Sequence, residues 1–298
     1  MKVFFATTIC VLFALSCKRK HVNINITNLN DDRISCFGHA GMGERSIYPA
    51  NTFESFRSAL KVGADGVEMD LQVTKDSVLV IYHDENLSSR TGQTGIIRNL
   101  NWNDIKHDKV NSILFHDLNL MSFDEFIEKI HNPTNYTYTF DCKLTDGDGD
   151  HATYERLFAR TIVNTVNQYH LVNNVFIENP HIDFLNLVKH CNSELKLFLL
   201  AENYEADIID AQNNGLFGIS ISNDDISKDE VKDAHSKNIR VTIYGVETHN
   251  ENISAVEKQP DFIQTDGLTY LLKIFGKFHF NNKYFHDLFS NVGKDFNS

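Results

Sequence analysis

Positive charge is scarce: 28 Lys and Arg stand against 40 Asp and Glu, a formal net charge of −12. A nucleic-acid binder shows a basic footprint, so this balance argues against that class of partner. Cysteine is scarce too, with five in the chain. Setting aside Cys10 and Cys17 in the N-terminal apolar stretch, Cys36, Cys142 and Cys191 are odd in number and lack metal-like spacing. No disulfide framework is implied. Proline numbers four, and no Pro-, Gly- or Ser-rich linker splits the chain after Asp32, so one domain is expected. No apolar run is long enough for a comfortable membrane span: residues 3–15, preceded only by Lys2, are too short. Paired histidine spacing for zinc is also missing, and His151, His170, His181, His190, His235 and His249 read as surface or helix-face residues. Gly38-x-x-Gly41-x-Gly43 has the wrong order for a dinucleotide fingerprint, and Pro49 interrupts before a helix can start. Asp146-Gly147-Asp148-Gly149-Asp150 lacks the distal Glu of a calcium-binding EF-hand loop and reads as a solvated loop.

What the chain does have is β-α alternation. Strand-like runs fall at residues 34–37, 66–73, 78–82, 138–143, 175–178, 195–200, 216–220, 239–244 and 261–264. Helix-like runs fall at 51–62, 152–169, 182–190, 204–213, 228–236 and 247–256. Such alternation over about 250 residues fits a single-domain α/β fold, a (β/α)8 barrel of TIM type. The strand pieces exceed eight, so one N-terminal pair is expected to be a single long strand or an added hairpin. Cys36 and Cys142 lie in strands and are expected as small buried hydrophobes.

Four polar clusters sit where strands end or a helix begins: Gly38-His39-Ala40-Gly41, Pro49-Ala50-Asn51-Thr52, Glu68-Met69-Asp70 and His83-Asp84. Val67, Met69, Leu71 and Val73 alternate against Glu68, Asp70 and Gln72, a period of two that sends Glu68 and Asp70 to one face of a strand. Two such carboxylates can grip one hard divalent cation, and two histidines beside it can move protons at neutral pH. These parts point to metal-assisted attack at a phosphate or carbonyl; a solvated acidic rim is the plainer alternative.

These clusters resemble the glycerophosphodiester phosphodiesterase family, whose members carry His-Arg-Gly, Pro-Glu-Asn-Thr, Glu-x-Asp and a following His-Asp. The likeness extends through Thr91 to Gly95, through residues 120–130 as the helix that follows, through Phe140-Asp141-Cys142-Lys143, and through Phe262-Ile263-Gln264-Thr265-Asp266. It implies the same barrel, with Glu68, Asp70 and Asp141 as ligands of a divalent cation, Ca2+ or Mg2+, and His39 and His83 as general acid/base pair. Lys143 then matches a lysine near the phosphate, and Asn51 lies in a site-lining motif. Departures stand beside these matches: Ala40 replaces the Arg, Ala50 replaces the Glu of Pro-Glu-Asn-Thr, and Asp141 stands where Glu is usual. On this reading the lost Arg and Glu pair in relatives, and Arg45 is expected to reach into the vacated position.

The expected activity is metal-dependent hydrolysis of a small-molecule phosphodiester, glycerophosphodiester-like, to glycerol phosphate and an alcohol. A catalytically silent barrel that binds phosphodiesters or sugars is the alternative, as is a phosphodiesterase acting on phospholipid or sugar phosphodiesters. Residues 1–17 read as a lipoprotein-type signal peptide, because Ala14-Leu15-Ser16-Cys17 resembles a bacterial lipoprotein cleavage box. Cys17 is then the lipidated first residue, although a plain signal peptide cut nearby or an uncleaved anchor remains open. Residues 18–32 form a polar tether, 33–277 the barrel, and 278–298 a tail expected to be helical. Export to a bacterial cell envelope follows, with the lipid anchor as the sole membrane attachment.

Overall fold

The fold is taken from a computed structural model, which describes residues 25–279 except 113, 116, 146 and 148. The leader with Cys17, the first part of the tether, the tail beyond residue 279, and Asp146 and Asp148 lie outside the described residues. The strands are β1 (Ser35–Gly38), β2 (Gly66–Val73), β3 (Leu79–Ile81), β4 (Met121–Ser122), β5 (Thr137–Cys142), β6 (Val175–Asn179), β7 (Lys196–Ala201), β8 (Gly218–Ser222), β9 (Arg240–Val246) and β10 (Phe262–Thr265). The helices are α1 (Phe53–Val62), α2 (Trp102–Ile105), α3 (Phe123–Lys129), α4 (His151–Gln168), α5 (Ile182–Cys191), α6 (Tyr204–Asn213), α7 (Lys228–Ser236), α8 (His249–Glu257) and α9 (Leu268–Ile274).

Eight of the strands run parallel in the order β1-β2-β5-β6-β7-β8-β9-β10, and β10 pairs back onto β1. The sheet is therefore a closed (β/α)8 barrel. The ninth strand-like run of the sequence belongs to a hairpin: β3 pairs antiparallel with β2, Leu71 opposite Ile81, and carries β4 on its other edge. This excursion has its own small core, in which Val80, Tyr82, Leu87, Ile97, Ile105 and Leu120 pack together. Its return path ends in α3, shorter than the run of residues 120–130 because β4 takes up Met121 and Ser122.

Strand alternation sorts the side chains by layer. Val67, Met69, Leu71, Phe140, Cys142, Ile219 and Val241 face outward and join helix residues such as Phe56, Phe158 and Phe184 in the main core. Cys36 and Cys142 are buried there, whereas Cys191 at the end of α5 is exposed. The inward face differs. Phe37, Phe176, Phe198 and Phe262 form a separate cluster inside the barrel, with Phe37 and Phe262 stacked at 5.5 Å between ring centres. Each buried ring is worth roughly 1.5–3 kcal/mol by area, and together they plug the N-terminal end. Nearer the strands' C-terminal ends the inward positions turn polar: Glu68, Asp70, Thr139, Glu178, Ser220 and Gln264 are all buried. That polar layer opens only toward the C-terminal mouth, where barrels of this kind place their chemistry.

Candidate active site

The centre of the mouth is a carboxylate cluster. Glu68 and Asp70 project from β2, and Asp141 on β5 is in register with Asp70. One ligand oxygen from each of the three lies within 4.8 Å of the others. Glu68 Oε2 accepts a hydrogen bond from the Ala40 amide at 2.8 Å. Asp70 is held at two points by Asn51, whose Nδ2 donates to Asp70 Oδ2 at 2.6 Å and whose Oδ1 accepts from the Asp70 amide at 3.2 Å. Asn51 has a left-handed backbone, φ 60°, which Asn tolerates better than most residues. It directly precedes Thr52, the N-cap of α1, so the helix start fixes the clamp. Lys143 Nζ reaches both Asp141 Oδ2 at 2.6 Å and Asp70 Oδ1 at 3.0 Å. Burial opposes the charge of that ammonium, but Asp70 and Asp141 hold its pKa above the usual lysine range.

One lysine does not neutralise the cluster. Burial, together with the neighbouring charge of Asp70, keeps Glu68 well above the ordinary carboxylate range. A dense set of hard oxygen donors with surplus negative charge fits a divalent cation of the Ca2+ or Mg2+ type, and no thiol or imidazole belongs to the set.

Two imidazoles flank it, each tied to an aspartate through Nδ1. His39 Nδ1 lies 2.8 Å from Asp266 Oδ1, and His39 Nε2 lies 3.8 Å from Glu68 Oε2. Burial works to lower the His39 pKa, but the Asp266 hydrogen bond and the charges of Glu68, Asp266 and Asp70 outweigh it and raise it to about 10. His83 Nδ1 lies 2.7 Å from Asp84 Oδ1, with the ring 44 % exposed. It stands close enough to the cluster to count among the electrostatic influences on Asp141. Gln72, buried on β2, donates to the Asp84 and Tyr82 carbonyls at 2.8 and 3.0 Å and so fixes the loop that carries His83.

The structure thus brings His39, Asn51, Glu68, Asp70, His83, Asp141 and Lys143 to one place. Arg45 it does not: its Nη1 pairs with Glu247 Oε1 at 2.6 Å and the side chain is 79 % exposed on the rim. To several residues the sequence reading assigned no role. Asp266 and Asp84 orient the imidazoles. Arg90 Nε bonds Asp84 Oδ2 at 3.0 Å, and its other nitrogens reach Glu44 at 3.4 Å. Glu178, in register with Asp141 on β6, accepts from Ser220 Oγ at 2.8 Å and Gln264 Nε2 at 2.9 Å. Burial raises Glu178 to about 7 against those hydrogen bonds. It lines a cavity of about 280 Å³ with His39, Glu68, Asp141 and Tyr244. The signal for Glu178 was present as strand parity, since Phe176 and Glu178 share the inward face.

Comparison with known proteins adds an independent line. The sequence model of the glycerophosphoryl diester phosphodiesterase family matches residues 39–268. The chain belongs to this family. Among relatives, a glycerophosphodiester phosphodiesterase of Bacillus altitudinis is 28 % identical over 110 residues, covering 36 % of this chain and 44 % of that protein. The chain spans less than half the length of the curated relatives it matches. Among solved structures, an Oleispira antarctica phosphodiesterase in complex with the product sn-glycerol-3-phosphate superposes with a TM-score of 0.72 at 16 % identity, covering 81 % of this chain and 96 % of that one. A glycerophosphodiester phosphodiesterase from Agrobacterium tumefaciens gives a TM-score of 0.69 at 17 % identity over 81 % of this chain and 100 % of its own. At these identities the structural matches show the shared barrel. The family match runs from His39 to the helix that follows Asp266, and so takes in both histidines and all three clustered carboxylates.

Proposed function

We propose that this glycerophosphoryl diester phosphodiesterase family member is a phosphoric diester hydrolase that cleaves a glycerophosphodiester-like substrate to glycerol phosphate and an alcohol. The observation that supports it most is the carboxylate cluster of Glu68, Asp70 and Asp141 flanked by two aspartate-supported imidazoles. Glu68, Asp70 and Asp141 would hold a divalent cation, which when bound offsets charge on phosphate oxygens and helps orient a nucleophile. The remaining chemistry belongs to the protein. In hydrolysis a water oxygen bonds to phosphorus, the bond from phosphorus to the alcohol oxygen breaks, and one proton moves from the water to the leaving alkoxide. Two imidazoles near the carboxylate cluster suit that transfer, one accepting and one donating through Nε2. Asp266 and Asp84 keep each Nδ1 protonated, which sets the tautomer and frees Nε2 for the substrate side. Lys143, between Asp70 and Asp141, supplies a fixed positive charge for a phosphate oxygen.

Purified protein with Mg2+ or Ca2+ and glycerophosphocholine is expected to release glycerol phosphate, and His39→Ala to cut turnover by ~10²–10⁴-fold. A parent protein that binds the cation yet cleaves no phosphodiester would favour the silent barrel, the reading prompted by Ala40 and Ala50. We propose further that Cys17 is lipidated and tethers the barrel to a bacterial envelope. Among the described residues no helix is long and apolar enough to cross a membrane. Mass spectrometry of the mature N-terminus tests the anchor: an unmodified start at any other residue removes it.

A further inference from the structure

The base of the barrel, at the end away from the mouth, carries a polar cavity of about 300 Å³. It lies where β7, β8 and β9 begin, against the last turn of α5. Its charged lining is Lys189, Lys196 and Arg240 against the single carboxylate of Glu194. That surplus is positive in a chain whose formal net charge is −12. The Ser193 hydroxyl and the Asn238 amide add uncharged donors to the same wall.

Two of these cations share one aromatic ring. Lys196 Nζ stands 5.3 Å from the ring centre of Phe176 and 5.5 Å from that of Phe217. Arg240 Cζ stands 4.3 Å from the same Phe217 ring. Covering the aromatic plug accounts for one cation on Phe217. A second brings like charges together: burial and the Arg240 charge both lower the Lys196 pKa. Among the described residues no carboxylate pairs with either cation. Lys196 gives one donor to the Asn173 carbonyl at 3.1 Å, and the Arg240 guanidinium donates no hydrogen bond. Other cations at this end of the barrel do find carboxylates: Arg33 pairs with Asp31, Lys237 with Asp233 and Lys277 with Asp65. A guanidinium with free donors beside an ammonium is a donor set that fits phosphate oxygens.

We infer that this cavity is an anion site for a phosphate group, separate from the mouth and from the hydrolase reading. Two sources carry that group, free phosphate and the headgroup of an anionic lipid. The described chain begins at this same end of the barrel. The Asn25 carbonyl accepts from Gln259 Nε2 at 2.9 Å, and the Leu29 amide donates to Asp261 Oδ1 at 2.8 Å, just ahead of β10. A lipid tether preceding Asn25 therefore leaves from the base, and anionic membrane surfaces attract basic clusters held close to them.

The test titrates inorganic phosphate into the full chain kept in chelator, where the carboxylates of the mouth repel an anion. Cys17→Ser in every protein used removes any contribution from a lipid anchor. Binding is expected, and Lys196→Gln with Arg240→Gln is expected to weaken it at least about tenfold. Glu194→Gln removes the one carboxylate of the lining and is expected to tighten binding about threefold, a gain that a damaged fold does not give. Tm values check the double variant. Co-sedimentation with vesicles of phosphatidylglycerol and phosphatidylcholine, against vesicles of phosphatidylcholine alone, separates the two sources. Retention on the anionic vesicles that the double variant loses assigns a lipid headgroup, and phosphate binding without such retention assigns free phosphate. No phosphate binding together with no retention on anionic vesicles, or binding that the double variant leaves unmoved, overturns the site. Turnover of glycerophosphocholine is expected to be equal in parent and double variant. Its absence from both overturns the hydrolase reading and leaves this site standing.

Discussion

Asp266 Oδ1 stands 2.8 Å from His39 Nδ1 although the two residues are 227 positions apart. The barrel brings them together because β1 and β10 are its closing pair, with Gly38 in register with Thr265. Burial favours the neutral acid at Asp266, yet the imidazole bond holds its pKa below the usual carboxylate range. A charged acceptor is thus kept on Nδ1. Asp266→Asn preserves the shape but presents an amide that can force the other tautomer, placing the proton on the substrate side. Turnover is expected to fall by ~10²–10⁴-fold, with cation affinity unchanged because Asp266 lies outside the clustered carboxylates. Parallel kinetics and calorimetric Mg2+ titration check this, and full activity in the Asn variant would remove Asp266 from the machinery.

Asn51 governs the cation rather than the proton. Its amide holds Asp70 by two hydrogen bonds, which go with the side chain and leave Lys143 on Asp70 Oδ1. Asn51→Gly is the suitable variant, because glycine accepts the positive φ of this position without strain. Affinity for Ca2+ or Mg2+ is expected to drop about 10–100-fold, the usual cost of losing a partner that orients a ligand. Isothermal titration with the parent as reference decides it; equal affinities would show that Asp70 needs no clamp.

How much of this was legible in the chain follows from distance along it. Glu68 and Asp70 share a face by strand parity, and the structure keeps both inward on β2. Helices with strong local signals match closely: α6 and α7 fall at the read positions, and Ser227 with Glu230 closes a capping box at the start of α7. The excess strand was flagged, but only pairing could show that β3 turns back on β2 as a hairpin. The supports of the histidines were harder. The pairing of His83 with Asp84 is a neighbour contact in plain view, whereas His39 with Asp266, and Glu44 with Arg90 46 positions on, depend on barrel closure and loop packing. Arg45 shows the opposite error source. A cation near a vacated site looks available in sequence, but a closer carboxylate, Glu247 from the β9–α8 loop, engages it in the structure.

Arg90 joins the two halves of the mouth. It bonds Asp84 beneath His83 and reaches Glu44, whose amide bonds Asp266 beneath His39. It touches neither the clustered carboxylates nor the imidazoles, so it is a positioning residue. Arg90→Gln is expected to lower kcat on the order of 10–100-fold, the scale of a small misplacement of reacting groups, while KM moves little. Arg90→Lys is expected to restore only part of the loss, since a point charge cannot hold two carboxylates in a fork. A rise in KM with kcat intact would assign Arg90 to substrate binding instead.

The interior carboxylate Glu178 makes stability depend on pH in a direction opposite to a surface acid. Its pKa is raised from 4.5 to about 7, so between those values the folded state holds the proton and the unfolded state does not. Its stabilising contribution is therefore complete below about pH 4.5 and is lost as the pH climbs through about 7, on the order of 3 kcal/mol in total. Glu68 and Asp141, which burial also holds above the ordinary carboxylate range, act with the same sign, and so does His39. Raised from 6.5 to about 10 while no cation offsets the carboxylates, its contribution is present below about pH 6.5 and lost as the pH rises through about 10. Asp84 and Asp266, both held low, act in the other direction and cost stability only as the solution becomes acidic enough to protonate them. Protein kept in chelator is thus expected to show a Tm that falls steadily from mildly acidic to alkaline pH. Glu178→Gln retains an oxygen to accept from Ser220 and Gln264 but cannot titrate, so its Tm profile is expected to flatten in the acidic-to-neutral half only. Added Mg2+ or Ca2+ is expected to lift the alkaline half, because a cation replaces the protonated imidazole in balancing Glu68 and Asp70. Differential scanning calorimetry of both proteins across this range decides it: coincident acidic-to-neutral slopes for parent and variant would show that Glu178 is ionised in the folded barrel.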